Sequence, residues 1–285
     1  MTSGTDTDSG ILAIVGVGLL GGSVALAAKQ RGIARHVIGI GRNAERLQCA
    51  CDAGIIDSFA TSLAETDATW TLAIVGTPVD RIVEDVRNVA ACSRPGTLIT
   101  DVGSVKGAIC SPLSEGLPDG VQFVGSHPLA GSEKRGFEVA TPDLFEGRVT
   151  VVTPDSASDS DAVARTTSFW ESLGSRVLTM TPDAHDAALA TTSHLPHVVA
   201  AALAAILPES ERDVAATGFR DTTRIAAGDP DLWVAILLEN ASAVESSLNR
   251  FASEFDAFRE AIRNRDAGEL KKHLQVAKRS RDALN

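Results

Sequence analysis

Gly16-Val17-Gly18-Leu19-Leu20-Gly21-Gly22-Ser23 follows directly on the apolar run Ile11–Val15. A strand, a G-x-G-x-x-G and the start of a helix in that order leave few folds open. Gly16 permits a tight turn, Gly18 lets the backbone approach a pyrophosphate, and Gly21 lets the helix lie close to the strand, its N-terminus facing the anion. Gly16, Gly18, Leu19, Leu20 and Gly21 are therefore candidate cofactor-binding positions. Apolar, β-branched runs continue at His36–Ile40, Leu72–Val75, Leu98–Asp101, Gln122–Gly125, Val149–Thr153 and Arg176–Met180, with helical stretches between them. That is the pattern of a parallel sheet with crossover helices. The expected fold class is α/β, with an N-terminal Rossmann-type doubly wound sheet over residues 11–180.

Beyond about residue 181 the strand patterns vanish, and residues 181–285 read as an all-helical substrate and dimerisation domain. Asp229-Pro230 is an N-cap followed by proline at the first helical position. Leu232, Ile236, Val244, Leu248, Phe251, Phe255, Phe258 and Ile262 then recur at helical spacing, with a break near Asn240. A helix of roughly 30 residues would extend about 45 Å, so part of its stripe is expected to meet a second subunit. An intramolecular core stripe fits the same spacing. Pro154–Asp161 reads as a solvated acidic loop leading into a helix.

Composition removes several function classes. The chain of 285 residues has no tyrosine, which excludes dehydrogenases that rely on a catalytic Tyr with a Lys four residues on. Its formal net charge of −11 argues against nucleic acid as a partner. Cys49, Cys51, Cys92 and Cys110 show no paired spacing, so no metal site or disulfide is indicated, and they read as buried thiols in a reducing compartment. The polar, acidic residues 1–10 lack a basic n-region and read as a disordered tail, not a signal peptide. A cytoplasmic protein without membrane partners is expected.

The second strand ends in Gly41-Arg42-Asn43, where NAD-specific proteins place a carboxylate against the ribose 2′-hydroxyl. Gly41 leaves room and Arg42 can pair with a 2′-phosphate, which favours NADP; an exposed Arg42 would leave NAD as the alternative. Thr77, Pro78 and Asp101 fall just past strand ends and are further candidate cofactor positions. A histidine, His127, follows another strand, with Ser132 and Glu133 close behind. His194-Leu195-Pro196-His197 sets two imidazoles three residues apart, and Asp221-Thr222-Thr223-Arg224 does the same for a carboxylate and a guanidinium.

With these pieces in order, the chain resembles the prephenate dehydrogenases of tyrosine biosynthesis and their arogenate-using relatives. The matching segments are Gly16-x-Gly18-x-x-Gly21-Gly22-Ser23, Asp101-Val102-Gly103-Ser104-Val105-Lys106, Gly125-Ser126-His127-Pro128-Leu129-Ala130-Gly131, Ser193-His194-Leu195-Pro196-His197, Asp221-Thr222-Thr223-Arg224-Ile225-Ala226 and Asp229-Pro230-x-x-Trp233. The resemblance implies oxidative decarboxylation of a cyclohexadienol with hydride transfer to NAD(P). It implies His127 as general base and Ser104 holding that imidazole and touching the same hydroxyl. Arg224 would bind the ring carboxylate, and His194 and His197 would lie near the substrate side chain. Asp221 would orient neighbours, Ser132 and Glu133 would help gate the site, and Trp233 would pack beneath Arg224. A homodimer through the C-terminal helices is also implied. The chain ends at Asn285 without room for a chorismate mutase or amino-acid-sensing domain, so tyrosine feedback, if present, is expected at the active site. His197 is not acidic, which leans toward prephenate over arogenate; a non-catalytic nucleotide-binding sensor dimer is the distant alternative.

Overall fold

A computed structural model describes residues 10–131 and 134–284, so the tail expected over 1–10 falls, apart from Gly10, outside the described residues. Eight strands form one sheet: β1 (Ile11–Val15), β2 (His36–Ile40), β3 (Ser58–Ala60), β4 (Leu72–Val75), β5 (Leu98–Asp101), β6 (Gln122–Pro128), β7 (Val149–Thr153) and β8 (Arg176–Thr179). Their spatial order is β3-β2-β1-β4-β5-β6-β7-β8, so the chain reverses direction of winding between β1 and β4. The glycine-rich turn after β1 therefore sits at the switch point where such sheets bind ligands.

The sheet is parallel only through β6. β7 runs antiparallel to it, pairing Gly125 with Thr153 and Pro128 with Thr150, and β8 is parallel to β7. The expected parallel pattern with crossover helices thus describes β1 through β6, and the antiparallel return of β7 lies outside it. Among its described residues the link between β6 and β7 holds one short 3-10 turn (Phe137–Val139) and no crossover helix, and the chain returns antiparallel. β3 escapes the sequence pattern because it is a three-residue edge strand paired with β2 alone.

Helices α1 (Leu19–Gln30), α2 (Ala44–Asp52), α3 (Ile82–Cys92), α4 (Gly107–Leu113) and α5 (Ser160–Ser172) cover the sheet. Strand residues alternate between the two layers, as the two-residue period requires. Leu12 and Ile14 join one apolar cluster with Val24, Phe145 and Trp170, whereas Ala13 and Val15 join the other with Ile82, Val86 and Ile109. Among the cysteines only Cys110 is buried; Cys49 and Cys92 are exposed and Cys51 is intermediate, which corrects the reading of four buried thiols.

The second half is helical: α6 (Pro182–Leu189), α7 (Leu195–Ala205), α8 (Thr217–Thr223), α9 (Pro230–Glu239), α10 (Ala241–Arg263) and α11 (Ala267–Asp282). Thr181 caps α6 with Pro182 in the first turn, and Asp229 caps α9 with Pro230 in the first turn. Between α6 and α7 the residues Ala190–His194 form a π turn. Pro196 lies just beyond it and lacks the N–H that would bond one turn back, and the wider turn accommodates this without breaking the helix. The joined run Pro182–Ala205 is long and apolar enough to cross a membrane by length and composition alone. Its buried side carries His185, Asp186, His194 and His197. α9 docks on the nucleotide-binding half by inserting Ile236 into the cluster around Val79 and Ile82.

One close approach decides the geometry after β1. Gly16 has φ +91, and a Cβ on Gly21 would sit against the Gly16 carbonyl oxygen and 2.8 Å from Ile14 Cγ2. Gly21→Ala is expected to push α1 off β1, lowering stability in urea denaturation by about 1–3 kcal/mol and weakening dinucleotide binding in titration. A wild-type urea midpoint would contradict this packing.

Candidate active site

The N-terminus of α1 is prepared for an anion. Gly18 sits at its N-cap, no side chain caps it and no acidic residue lies in its first turn. A Cβ on Gly18 would meet nothing within 4 Å, so the backbone there faces open space. The N–H groups of the first turn, at Leu19, Leu20 and Gly21, are thereby left for a pyrophosphate, and the residues present fit a dinucleotide. Across the turn Gly76 follows β4, and Thr77 donates from Oγ1 to Asp85 at 2.6 Å beside the exposed Pro78. At the end of β2, Arg42 is exposed and makes no ion pair among the described residues, while Asn43 caps α2 by accepting from the Arg46 N–H.

Asp101 does something other than what its position suggested. It is fully buried, and its Oδ2 accepts from Lys106 Nζ and, at 2.8 Å, from the Gly103 N–H; its Oδ1 accepts from the Ser126 N–H at 3.1 Å. Both oxygens are committed within the protein, and the carboxylate serves as the counter-ion of a buried lysine. Lys106, also fully buried, donates in addition to the Ser126 carbonyl at 2.8 Å. The pair locks the end of β5 to β6 directly beneath His127.

His127 lies within β6, not beyond its end, because pairing with β7 carries the strand on to Pro128. Its Nδ1 is 2.8 Å from Nε2 of His185 on α6, and His185 Nδ1 is 2.8 Å from Asp186 Oδ1. Nδ1 of His127 is thus held by His185; Ser104, expected to hold that imidazole, is half-buried and makes no hydrogen bond among the described residues. His127 Nε2 likewise makes none. Burial, His185 and the Lys106 ammonium hold the His127 imidazole well below its usual range, so the ring is neutral at neutral pH.

The helical half supplies the other imidazoles. His194, at the end of the π turn, is buried, and its Nδ1 lies 3.1 Å from Nδ2 of Asn240, which donates to the Asp186 carbonyl at 2.9 Å. Burial pushes His194 down to about 4. His197 stacks on Trp233 with ring centroids 3.5 Å apart and planes 11° apart, and burial lowers it too. Trp233 therefore packs on His197. A Cβ on Gly228 would meet the Trp233 Nε1 at 2.6 Å and His197 Cε1 at 3.1 Å, so glycine is required where the chain passes this pair. His197 Nδ1 is buried without a hydrogen-bond partner among the described residues, a condition that costs about 1–3 kcal/mol unless a ligand completes it.

Arg224 begins a 3-10 turn, Arg224–Ala227, that packs on α7, the helix carrying His197. Arg224 is exposed, as is Asp221, and no ion pair joins them or engages either one among the described residues. Ser132 and Glu133 lie outside the described residues, and the neighbouring Arg135 pairs with the Asp229 carboxylate that caps α9. Sequence reasoning missed His185, Asp186, Lys106 and Asn240. The Thr181-Pro182 helix start announced α6, and a His-Asp pair in its opening turns was the visible signal. The break at Asn240 was read without its polar role.

Sequence comparison matches residues 24–179 to the prephenate dehydrogenase nucleotide-binding domain and residues 181–276 to the prephenate dehydrogenase dimerization domain. The prephenate dehydrogenase of Bacillus subtilis is 34% identical over 278 residues, covering 95% of this chain and 75% of that protein. The cyclohexadienyl dehydrogenase of Zymomonas mobilis is 32% identical, covering 96% and 95%. Among solved structures, prephenate dehydrogenase from A. aeolicus in complex with hydroxyphenyl propionate and NAD+ superposes with a TM-score of 0.90 at 32% identity, covering 96% of this chain and 98% of that one. Synechocystis arogenate dehydrogenase superposes with a TM-score of 0.83 at 31% identity, covering 96% and 100%. With a dinucleotide cradle at the switch point and a neutral histidine on β6 of the same sheet, the chain belongs to the prephenate dehydrogenase family.

Proposed function

We propose that this NAD(P)-dependent oxidoreductase oxidatively decarboxylates prephenate to 4-hydroxyphenylpyruvate in tyrosine biosynthesis, preferring NADP+, as a cytoplasmic homodimer joined through its helical half. The observation that carries the reading is His127: a neutral imidazole on β6 with Nδ1 anchored and Nε2 uncommitted among the described residues. When bound, NAD(P)+ accepts the hydride that leaves ring C4. His127 Nε2 takes the C4 hydroxyl proton as that hydride departs. The resulting C4 carbonyl draws the electron pair released when the ring carboxylate leaves as carbon dioxide. The imidazolium returns its proton to the phenolate oxygen, so protons balance. Aromatisation drives the sequence, which leaves orientation and one proton to the protein.

Arg224, without an ion pair among the described residues, would hold the ring carboxylate, a task suited to a permanently charged fork. Ser104 would touch the C4 hydroxyl from the loop before α4. The orphaned Nδ1 of His197 supports a polar substrate side chain there, with His194 behind it and Asp221 beside Arg224. A neutral His197 offers a hydrogen bond to a keto acid and no counter-charge to an ammonium, which favours prephenate over arogenate. Ser132 and Glu133 would close over this space. Thr77 and Pro78 would border the cofactor. The unpaired Arg42, with Gly41 in place of a carboxylate, supports NADP+ over NAD+. Leu238, at 70% exposed, Phe255 at 59% and Ile262 at 62% leave an apolar face on α9 and α10 that a second subunit would cover.

Absorbance at the reduced-nicotinamide wavelength with prephenate or arogenate and either cofactor tests the reading; folded protein silent with all four combinations would overturn it. His127→Asn is expected to keep dinucleotide binding and lose turnover by roughly 10²–10⁴-fold, whereas Arg224→Gln mainly raises the apparent KM. Arg42→Ala should weaken NADP+ more than NAD+, and equal effects would refute a 2′-phosphate contact. The acid limb of kcat/KM should fall below the ordinary histidine range, since His127 must be unprotonated and is held low. Stability follows the same sign. His127, His194 and His197 bind protons more weakly folded than unfolded, so stability is full above about pH 6.5 and declines as pH falls. By His194 alone it is expected to lose about 3 kcal/mol on reaching pH 4, measured by urea denaturation across pH.

A further inference from the structure

The chain His127–His185–Asp186 has only one consistent assignment of protons if His127 is to act as a base. Asp186 is caught between two helices. It lies on α6, yet its Oδ1 accepts from the Lys106 N–H and its Oδ2 from the Gly107 N–H, both at 2.8 Å, so it caps α4 from 79 and 80 residues away. No residue of α4's own N-terminal segment provides that cap. A Cβ on Gly107 would lie 3.0 Å from Asp186 Oδ2, and glycine keeps the approach open. Two backbone donors and the His185 ring hold the carboxylate ionised, and an ionised carboxylate only accepts.

His185 Nδ1 must then carry a hydrogen. With no second hydrogen on the ring, His185 Nε2 can only accept, and the group 2.8 Å away is Nδ1 of His127. His127 Nδ1 must therefore donate, and in a neutral ring this leaves the lone pair on Nε2. Reversing any one assignment, for example a hydrogen on His185 Nε2, moves the hydrogen on His127 to Nε2 and removes the base.

We propose that His185 and Asp186 are positioning residues that fix His127 in the tautomer whose bare Nε2 takes the substrate hydroxyl proton. The proposal rests on the proton-acceptor role given to His127 above. It also assigns work to the docking of the two halves: α6 comes from the helical half, while His127 and the N–H groups of Lys106 and Gly107 belong to the nucleotide-binding half. The tautomer is set only when the halves are seated. As His127 gains the proton, Asp186 stabilises the charge through His185, and no proton needs to travel along the chain.

Histidine 15N NMR of the full-length protein at neutral pH, assigned with His127→Asn and His185→Gln, reads the proposal without turnover. The expected result is a protonated Nδ1 and a bare Nε2 on both rings; a protonated Nε2 on either ring overturns it, and this holds even if His185→Gln fails to fold. In kinetics, His185→Gln is expected to lower kcat by roughly 10–100-fold with KM for substrate and cofactor within about twofold. The same substitution in a His127→Asn background is expected to change kcat no further, because the residue acts only through that ring. An equal loss in both backgrounds marks a structural effect and overturns the proposal. Wild-type protein inactive on both substrates would instead refute the assigned reaction, while the NMR result would still decide the tautomer.

Discussion

Lys106 joins the two halves of this protein at one residue. Its ammonium, fully buried, is paired with Asp101 and bonded to the Ser126 carbonyl, which ties β5 to β6. Its backbone N–H, together with that of Gly107, holds Asp186 on the first helix of the second half. A buried ion pair of this kind adds little net stability over apolar packing, but removing one partner strands a charge at a cost of about 3–5 kcal/mol. The pair is therefore better understood as a device that fixes geometry. It holds the strand bearing His127 at a set distance from the helix bearing His185.

Around that anchor the polar groups form a graded series. Ser126 accepts from the Trp170 indole at 2.9 Å and donates to the Asp101 carbonyl at 2.5 Å, so the strand is also gripped from the opposite layer. Asn240, at the kink between α9 and α10, donates to the Asp186 carbonyl and faces His194. The kink is thus the point at which the long C-terminal helices connect to the site. Among the described residues, Arg224 and Arg42 make no ion pair and His197 Nδ1 no hydrogen bond, so these groups remain open to a ligand. Saturated polar bonding beneath and unsatisfied groups above are what a site prepared for an anionic substrate requires.

Much of this was legible in the chain. Apolar runs marked β1, β2, β4, β5 and β7, and the glycine motif located the cradle, because each depends on local residue chemistry. β3 was not legible, since three residues at an edge carry no periodicity. The reversal of β7 was hidden because nothing local distinguishes a crossover from a long return. Asp101 was misread for a related reason: position at a strand end suggests a ligand, and only the fold shows that Lys106, five residues on, bends back to meet it. The partners of His127 were invisible because His185 lies 58 residues away on another element. A sequence names the residue types able to do chemistry, but which nitrogen bonds to which is a property of the docked halves.

The low basicity of His127 looks at first like a handicap for a general base. Burial and the Lys106 cation both disfavour its imidazolium. A more basic ring, however, would rest protonated near neutrality and would have no lone pair to offer. In the proposed reaction the proton is held only between departure of the hydride and loss of carbon dioxide, after which it goes back to the phenolate. A weak base that is always free, and a strong acid once charged, suits both steps. What such a ring lacks in driving force is supplied only at the moment of charging, by the Asp186 carboxylate reached through His185. Burial, aided by His185 and the Lys106 cation, keeps the resting ring neutral, and the Asp186 anion stabilises it when it is not, so the residues around Lys106 act on the same imidazole at different stages.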